Sequence, residues 1–287
     1  MIIDRLYEEV EKKGNVCLGL DSHLDYIPNK LKEEYQDVDK IMFEFNRRII
    51  DNTLDIVAVY KLQIAYYEAY GIKGLMAYKR TLEYIKSQGL FSIGDIKRGD
   101  ISSTAQMYGK AHFEGDFEAD FITLNPYMGF DTITPYLKYL DRGDKGLFVL
   151  LRTSNPGAKD IQYLKVGQPQ SNYLYYHIGD RLKKLGESYL GSCGYSLIGA
   201  VVGGTHTAEG EEIRNRYKNI YFLIPGYGHQ GGRGKDVAIY LNKGNGGIVN
   251  SSRGIITAYK NYENGDENFE RYARLAVLDM REDILNG

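Results

Sequence analysis

Leu90-Phe91-Ser92-Ile93-Gly94-Asp95-Ile96-Lys97-Arg98-Gly99-Asp100-Ile101 is the stretch on which the reading of this chain turns. Phe91–Ile96 is a short apolar run of strand type. It ends in a carboxylate, an ammonium and, in the loop beyond, a second carboxylate. Strand side chains alternate, so Asp95 and Lys97 are expected on one face, about 7 Å apart along the chain. Ionisable groups at the end of a buried strand fit a parallel α/β protein, whose chemistry sits at the C-terminal ends of its strands. The plainer alternative is an exposed ion pair on a loop, which contributes little and needs no matching residues elsewhere. The rest of the chain supplies matching residues.

Working outward, similar runs recur at Val16–Leu20, Ile56–Leu62, Phe121–Leu124, Gly146–Leu151, Leu197–Val202, Ile220–Ile224 and Gly247–Asn250. Several are unbroken apolar stretches, as parallel strands buried on both faces require. Helical patterns lie between them, among them Leu75–Ser87, Ile178–Gly186 and a charged helix from Leu31 to Ile50. Eight strand–helix repeats in 287 residues predict an α/β protein of the (β/α)₈ TIM-barrel class, a single domain over residues 1–287. A doubly wound sheet also alternates, but usually with fewer strands and with a nucleotide fingerprint near the first. The connection over residues 152–177 contains Pro156 and Pro169 and shows no helical period; loops of that length are often functional.

Composition narrows the function. Hydrophobic residues make up 43% of the chain, enough for a large core. The net charge of −2 gives no broad positive field for nucleic acid or an anionic membrane. A small anionic substrate would therefore need local cations. The 26 Tyr, with no Trp, read as half-buried rings whose hydroxyls reach water. Cys17 and Cys193 make neither a disulfide framework nor a zinc site, and Cys17, inside an apolar strand, reads as an inert buried thiol. Asp4–Val10 reads as the start of an amphipathic helix rather than a signal peptide, and no apolar run is long enough to span a bilayer. A cytoplasmic protein is expected.

Most strands end in polar or charged groups: Asp21 after the first, Lys61 and Gln63 on the second, Arg152-Thr153-Ser154 on the fifth, and Ser251-Ser252-Arg253 on the eighth. Lys61 should point to the barrel mouth, where an unpaired lysine is costly. The segment Pro225-Gly226-Tyr227-Gly228-His229-Gln230-Gly231-Gly232 contains a literal G-x-G-x-x-G. It follows the seventh strand, so too little chain remains for a dinucleotide fold. It reads better as a glycine loop whose backbone N–H groups and Gln230 fold over a phosphate, with Arg253 supplying the charge. His23, His206 and His229 lack metal-site spacing and read as loop residues or helix caps. Asp21, Asp95 and Asp100 could hold Mg²⁺, but Lys61 and Lys97 compete for the same space.

Asp95-x-Lys97-x-x-Asp100-Ile101-x-x-Thr104, Lys61, Thr153-Ser154-Asn155-Pro156-Gly157, Pro225-Gly226 with Gln230, and Arg253-Gly254 together resemble the orotidine 5′-phosphate decarboxylase family, in its longer bacterial subgroup. The resemblance covers the whole chain. The D-x-K-x-x-D core alone also occurs in sugar-phosphate decarboxylases and synthases of the same suprafamily. The resemblance implies cofactor-free, metal-free decarboxylation of orotidine 5′-phosphate to UMP. It implies a charged tetrad of Lys61, Asp95, Lys97 and Asp100. Asp21, Lys61 and Thr104 would hold the ribose, and Ser154 would read the pyrimidine edge. Pro225 would line the substrate site, and Gln230 and Arg253 would hold the phosphate. It also implies a homodimer in which Asp100 and Thr104 reach the partner's site. The alternatives are a Mg²⁺-dependent sugar-phosphate lyase on the same barrel, and a non-catalytic barrel that senses a nucleotide.

Overall fold

A computed structural model describes residues 1–167, 172–205, 207–228 and 231–287. The barrel strands are β1 (Val16–Gly19), β2 (Val59–Gln63), β3 (Phe91–Arg98), β4 (Phe121–Leu124), β5 (Gly146–Arg152), β6 (Ile198–Val202), β7 (Phe222–Pro225) and β8 (Gly247–Ser251). All neighbouring pairs are parallel, and β1 closes the barrel by pairing with both β8 and β2. The expected TIM barrel is thus the fold. Its strands are buried along nearly their whole length because one set of side chains fills the interior and the other meets the helices.

The helices used below are α1 (Ile2–Lys13), α2 (Val38–Thr53), α3 (Gly71–Ser87), α4 (Ser102–Phe113), α5 (Leu174–Gly186), α6 (Thr207–Arg216), α7 (Gly234–Ala238), α8 (Arg253–Ile256) and α9 (Phe269–Leu285). Their apolar stripes cover the barrel. In α1 the buried residues are Ile2, Ile3, Leu6 and Val10, one face of a 3.6-residue period. Phe45 of α2 and Phe269 of α9 stack at 5.1 Å, which fixes the last helix beside the first half of the chain. Fully burying such a side chain is worth ~1.5–3 kcal/mol, so these contacts outweigh weak local propensities.

The structure corrects several boundaries. The helix expected from Leu31 to Ile50 is two, Asn29–Glu34 and α2, because Tyr35–Asp37 is not helical. Asp37, extended at the start of α2, spends its carboxylate on Lys73, 2.9 Å away on α3. The second strand starts at Val59 rather than Ile56, since the N–H groups of Ile56 and Val57 still donate to the carbonyl of Thr53 and finish α2. Helix α5 begins at Leu174, four residues before its expected start. The long connection before it holds a helical turn, Ala158–Ile161, and a small antiparallel pair, Lys165–Val166 with Asn172–Tyr173.

Candidate active site

The strand ends bring four charges together. Lys61 of β2 is 4% exposed and points into the mouth. Its Nζ lies 3.0 Å from Asp95 Oδ2 and 3.3 Å from Asp21 Oδ1. Lys97 Nζ lies 2.6 Å from the other oxygen of Asp95. Asp95 is thus bridged by two ammonium groups, and Gln63 donates to its Oδ2 at 3.0 Å. Burial pushes the Asp95 carboxyl up, but Lys61 and Lys97 outweigh it and hold the group well below the usual carboxylate range. Burial likewise pulls Lys61 down, and the Asp21 and Asp95 carboxylates outweigh it, so its ammonium is held above the usual lysine range.

Asp95 and Lys97 meet by a different route from simple alternation. The register between β3 and β4 shifts between Gly94 and Arg98, and Lys97 is left-handed at φ 46°. A non-glycine residue there costs roughly 1–3 kcal/mol and persists only where its surroundings over-determine it. Thr123 of β4 does so: its Oγ1 accepts from the Lys97 backbone N–H at 2.9 Å and donates to Asp95 Oδ1 at 2.9 Å. Sequence reasoning missed Thr123. The signal was a lone hydroxyl in the otherwise apolar run Phe121-Ile122-Thr123-Leu124.

These groups lie in a cavity of about 960 Å³, walled also by Asn125, Ser154, Pro225 and Asn250. Ser154 is set by a close approach: a Cβ on Gly203 would lie 2.8 Å from the Ser154 nitrogen, so only glycine lets the β6 end come this near. Arg152, the last residue of β5, does not face the cavity. It is 1% exposed, its Nε lies 3.1 Å from Glu209 Oε2, and it donates to Tyr163 Oη at 2.5 Å. It ties β5 to α6 and to the long connection instead of meeting substrate.

Other expected site residues lie apart from these four charges, Asp100 of the expected tetrad among them. Asp100 and Thr104 do not line this cavity. Asp100 Oδ1 accepts from the Ile101 N–H at 2.8 Å, and Thr104 is exposed on α4. Arg253, the first residue of α8, is exposed, and its guanidinium makes no hydrogen bond or ion pair among the described residues. Gln230, His206, His229 and Pro169 lie outside the described residues. His23 caps a short helical turn, its Nδ1 accepting from Asp25 N–H at 3.1 Å. Cys17 is fully buried, and burial pushes its thiol up to about 12. Among the described residues, no group of three or more His, Cys, Asp or Glu side chains is placed to hold a metal ion.

The depressed Asp95 carboxyl links the site to stability. Its contribution is complete above the unfolded-state value near ~3.9 and is lost as pH falls through the folded value. Between pH 6 and pH 3 the wild-type chain should therefore lose about 1 kcal/mol more than Asp95→Asn, which cannot titrate. Urea unfolding at the two pH values measures the difference; equal losses would remove Asp95 as the source.

Residues 14–267 match the Orotidine 5'-phosphate decarboxylase / HUMPS family. The orotidine 5′-phosphate decarboxylase of Petrotoga mobilis is 74% identical over 284 residues, covering 99% of this chain and 98% of the relative. That of Clostridium novyi is 58% identical over 284 residues, with 99% and 98% covered. The solved OMP decarboxylase of Leishmania donovani superposes with a TM-score of 0.77 at 28% identity, covering 99% of this chain and 97% of that one. With a closed parallel barrel, a buried Lys–Asp–Lys bridge at its mouth and these full-length relatives, the chain belongs to the orotidine 5′-phosphate decarboxylase family.

Proposed function

We propose that this chain, as a single barrel domain, decarboxylates orotidine 5′-phosphate to UMP, the last step of de novo pyrimidine nucleotide synthesis, with neither cofactor nor metal. The observation that carries this reading is the Lys97 ammonium 2.6 Å from Asp95, whose other oxygen is already held by Lys61. Loss of CO₂ breaks the bond between C6 and its carboxylate and leaves the electron pair on C6. That carbanion is poorly delocalised by the ring, and most decarboxylases recruit a cofactor to receive such a pair. Here a fixed ammonium stands in its place. Two unit charges ~4 Å apart interact by about 4 kcal/mol at an effective dielectric near 20. Lys97 then transfers a proton to C6 and regains one from solvent. Asp95 lies beside the substrate carboxylate and keeps Lys97 charged.

Asp21, Lys61 and Thr104 hold the ribose hydroxyls in this reading, Ser154 reads the pyrimidine edge, and Pro225 forms part of the wall. Gln230 and Arg253 hold the phosphate. The exposed guanidinium of Arg253, without a hydrogen-bond or ion-pair partner among the described residues, supports that role, since a guanidinium can take an anion in a bidentate grip. Arg253→Ala should raise KM and lower kcat/KM by about 100-fold, the equivalent of losing one or two charge-assisted hydrogen bonds, with a smaller effect on kcat. Steady-state kinetics of UMP formation checks it.

A homodimer with shared sites completes the tetrad. Asp100 and Thr104 do not line this chain's own cavity, and near them along the start of α4 Ile101 is 46% and Met107 61% exposed. An apolar face that carries two site residues is what a shared interface needs. A cytoplasmic location belongs to the same reading, because the charged substrate and product do not cross a bilayer unaided. No helix among the described residues is long and apolar enough to cross a membrane.

A direct assay of UMP from orotidine 5′-phosphate in EDTA tests the function. Product formation is expected. Its absence, or activity that EDTA abolishes, would favour a Mg²⁺-dependent sugar-phosphate lyase, and tight UMP binding without turnover would favour a nucleotide sensor.

A further inference from the structure

We propose that Asp283, on the C-terminal helix α9, is a positioning residue for the phosphate end of the site, acting as a clasp on the glycine loop after β7. The inference rests on the reading that this loop and Arg253 hold the substrate phosphate. One oxygen of Asp283, Oδ2, accepts from the Tyr227 hydroxyl at 2.8 Å and from the Gly234 N–H at 2.6 Å. Tyr227 lies two residues beyond the end of β7, and Gly234 is the first residue of α7. A single carboxylate therefore pins both stems of the loop.

A second observation points the same way. A Cβ on Gly234 would lie 1.9 Å from the Asp283 carbonyl oxygen, so the loop's exit is in direct backbone contact with α9 and admits only glycine. Between the stems, the described residues are linked by backbone bonds. Gly228 N–H donates to Gly232 O at 2.8 Å, Gly232 N–H to Gly226 O at 3.1 Å, and Gly231 N–H to Gly228 O at 2.8 Å. Gly226, Gly228 and Gly231 all have positive φ, a conformation from which an untethered glycine chain readily departs. Helix α9 also packs against α8, which begins with Arg253. One helix thus sets the distance between the loop and the arginine before substrate arrives, and the phosphate is spared the entropy of ordering them.

The test compares Asp283→Ala, Asp283→Asn and Tyr227→Phe on orotidine 5′-phosphate and on orotidine, which lacks the phosphate. Asp283→Ala should lower kcat/KM for the phosphorylated substrate about ten-fold or more beyond any loss on orotidine. Asp283→Asn, which keeps an acceptor oxygen, should recover part of that difference, and Tyr227→Phe should fall between. Equal losses on both substrates, or none on either, would overturn the proposal. Amide exchange at Gly228, Gly231 and Gly232 in the free protein needs no substrate and should quicken about ten-fold or more in Asp283→Ala. Unchanged exchange overturns the clasp. A wild-type chain that forms no UMP counts against the proposed function, and the exchange result still decides the clasp.

Discussion

Lys97→Ala is expected to lower the rate of UMP formation by about 10⁵-fold or more, while UMP itself binds within about ten-fold of wild type. Two separate losses multiply. Removing the ammonium forfeits about 4 kcal/mol of attraction to the C6 charge, roughly 10³-fold in rate. Removing the proton donor costs a further ~10²–10⁴-fold. The site should keep its shape, because Asp95 retains Lys61, Gln63 and Thr123 as partners. Single-turnover kinetics with UMP titration separates the two quantities. A variant within about ten-fold of wild type would take this lysine out of the reaction.

Asp100→Ala alone should be nearly as inactive, yet mixing it with Lys97→Ala should restore about a quarter of wild-type activity. In the proposed shared-site dimer each site would take Lys97 from one subunit and Asp100 from the other. Half of randomly reassembled dimers are mixed, and each of those has one intact site of two. Activity after denaturation and joint refolding, with subunit exchange verified by mass, reads the result. No recovery would mean that each chain completes its own site, although Asp100 and Thr104 do not line its cavity.

The barrel was legible because its signal is redundant. Eight buried runs of similar length and polarity leave few other architectures, and errors of one to three residues at Ile56 or Leu197 change no connection. Lys61 was legible for a similar reason: a lysine so deep in an apolar strand needs carboxylates, and Asp21 and Asp95 provide them. The rest depends on register between segments distant in sequence. Thr123 matters only because β4 slips against β3 between Gly94 and Arg98, and no property of either strand alone announces that slip. Arg152 looked like a rim cation with Thr153 and Ser154, but the pull of Glu209 and Tyr163 turns it away. Which way a strand-end side chain points is settled by partners some tens of residues off. The Asp283 clasp lies further still, across the loop and the last helix.

The charge balance at the strand ends also separates capture from bond breaking. Asp21, Lys61, Asp95 and Lys97 sum to zero, and the Lys61–Asp95 contact is shielded from bulk water. Dissolved ions, which screen over ~10 Å at 0.1 M, have little purchase on it. Arg253 stands in the open, outside the lining of the cavity that holds these four charges. If Arg253 holds the nucleotide's dianion as proposed, added electrolyte should weaken that hold more than it disturbs the buried Lys61–Asp95 contact, so the ionic-strength dependence is expected in KM more than in kcat.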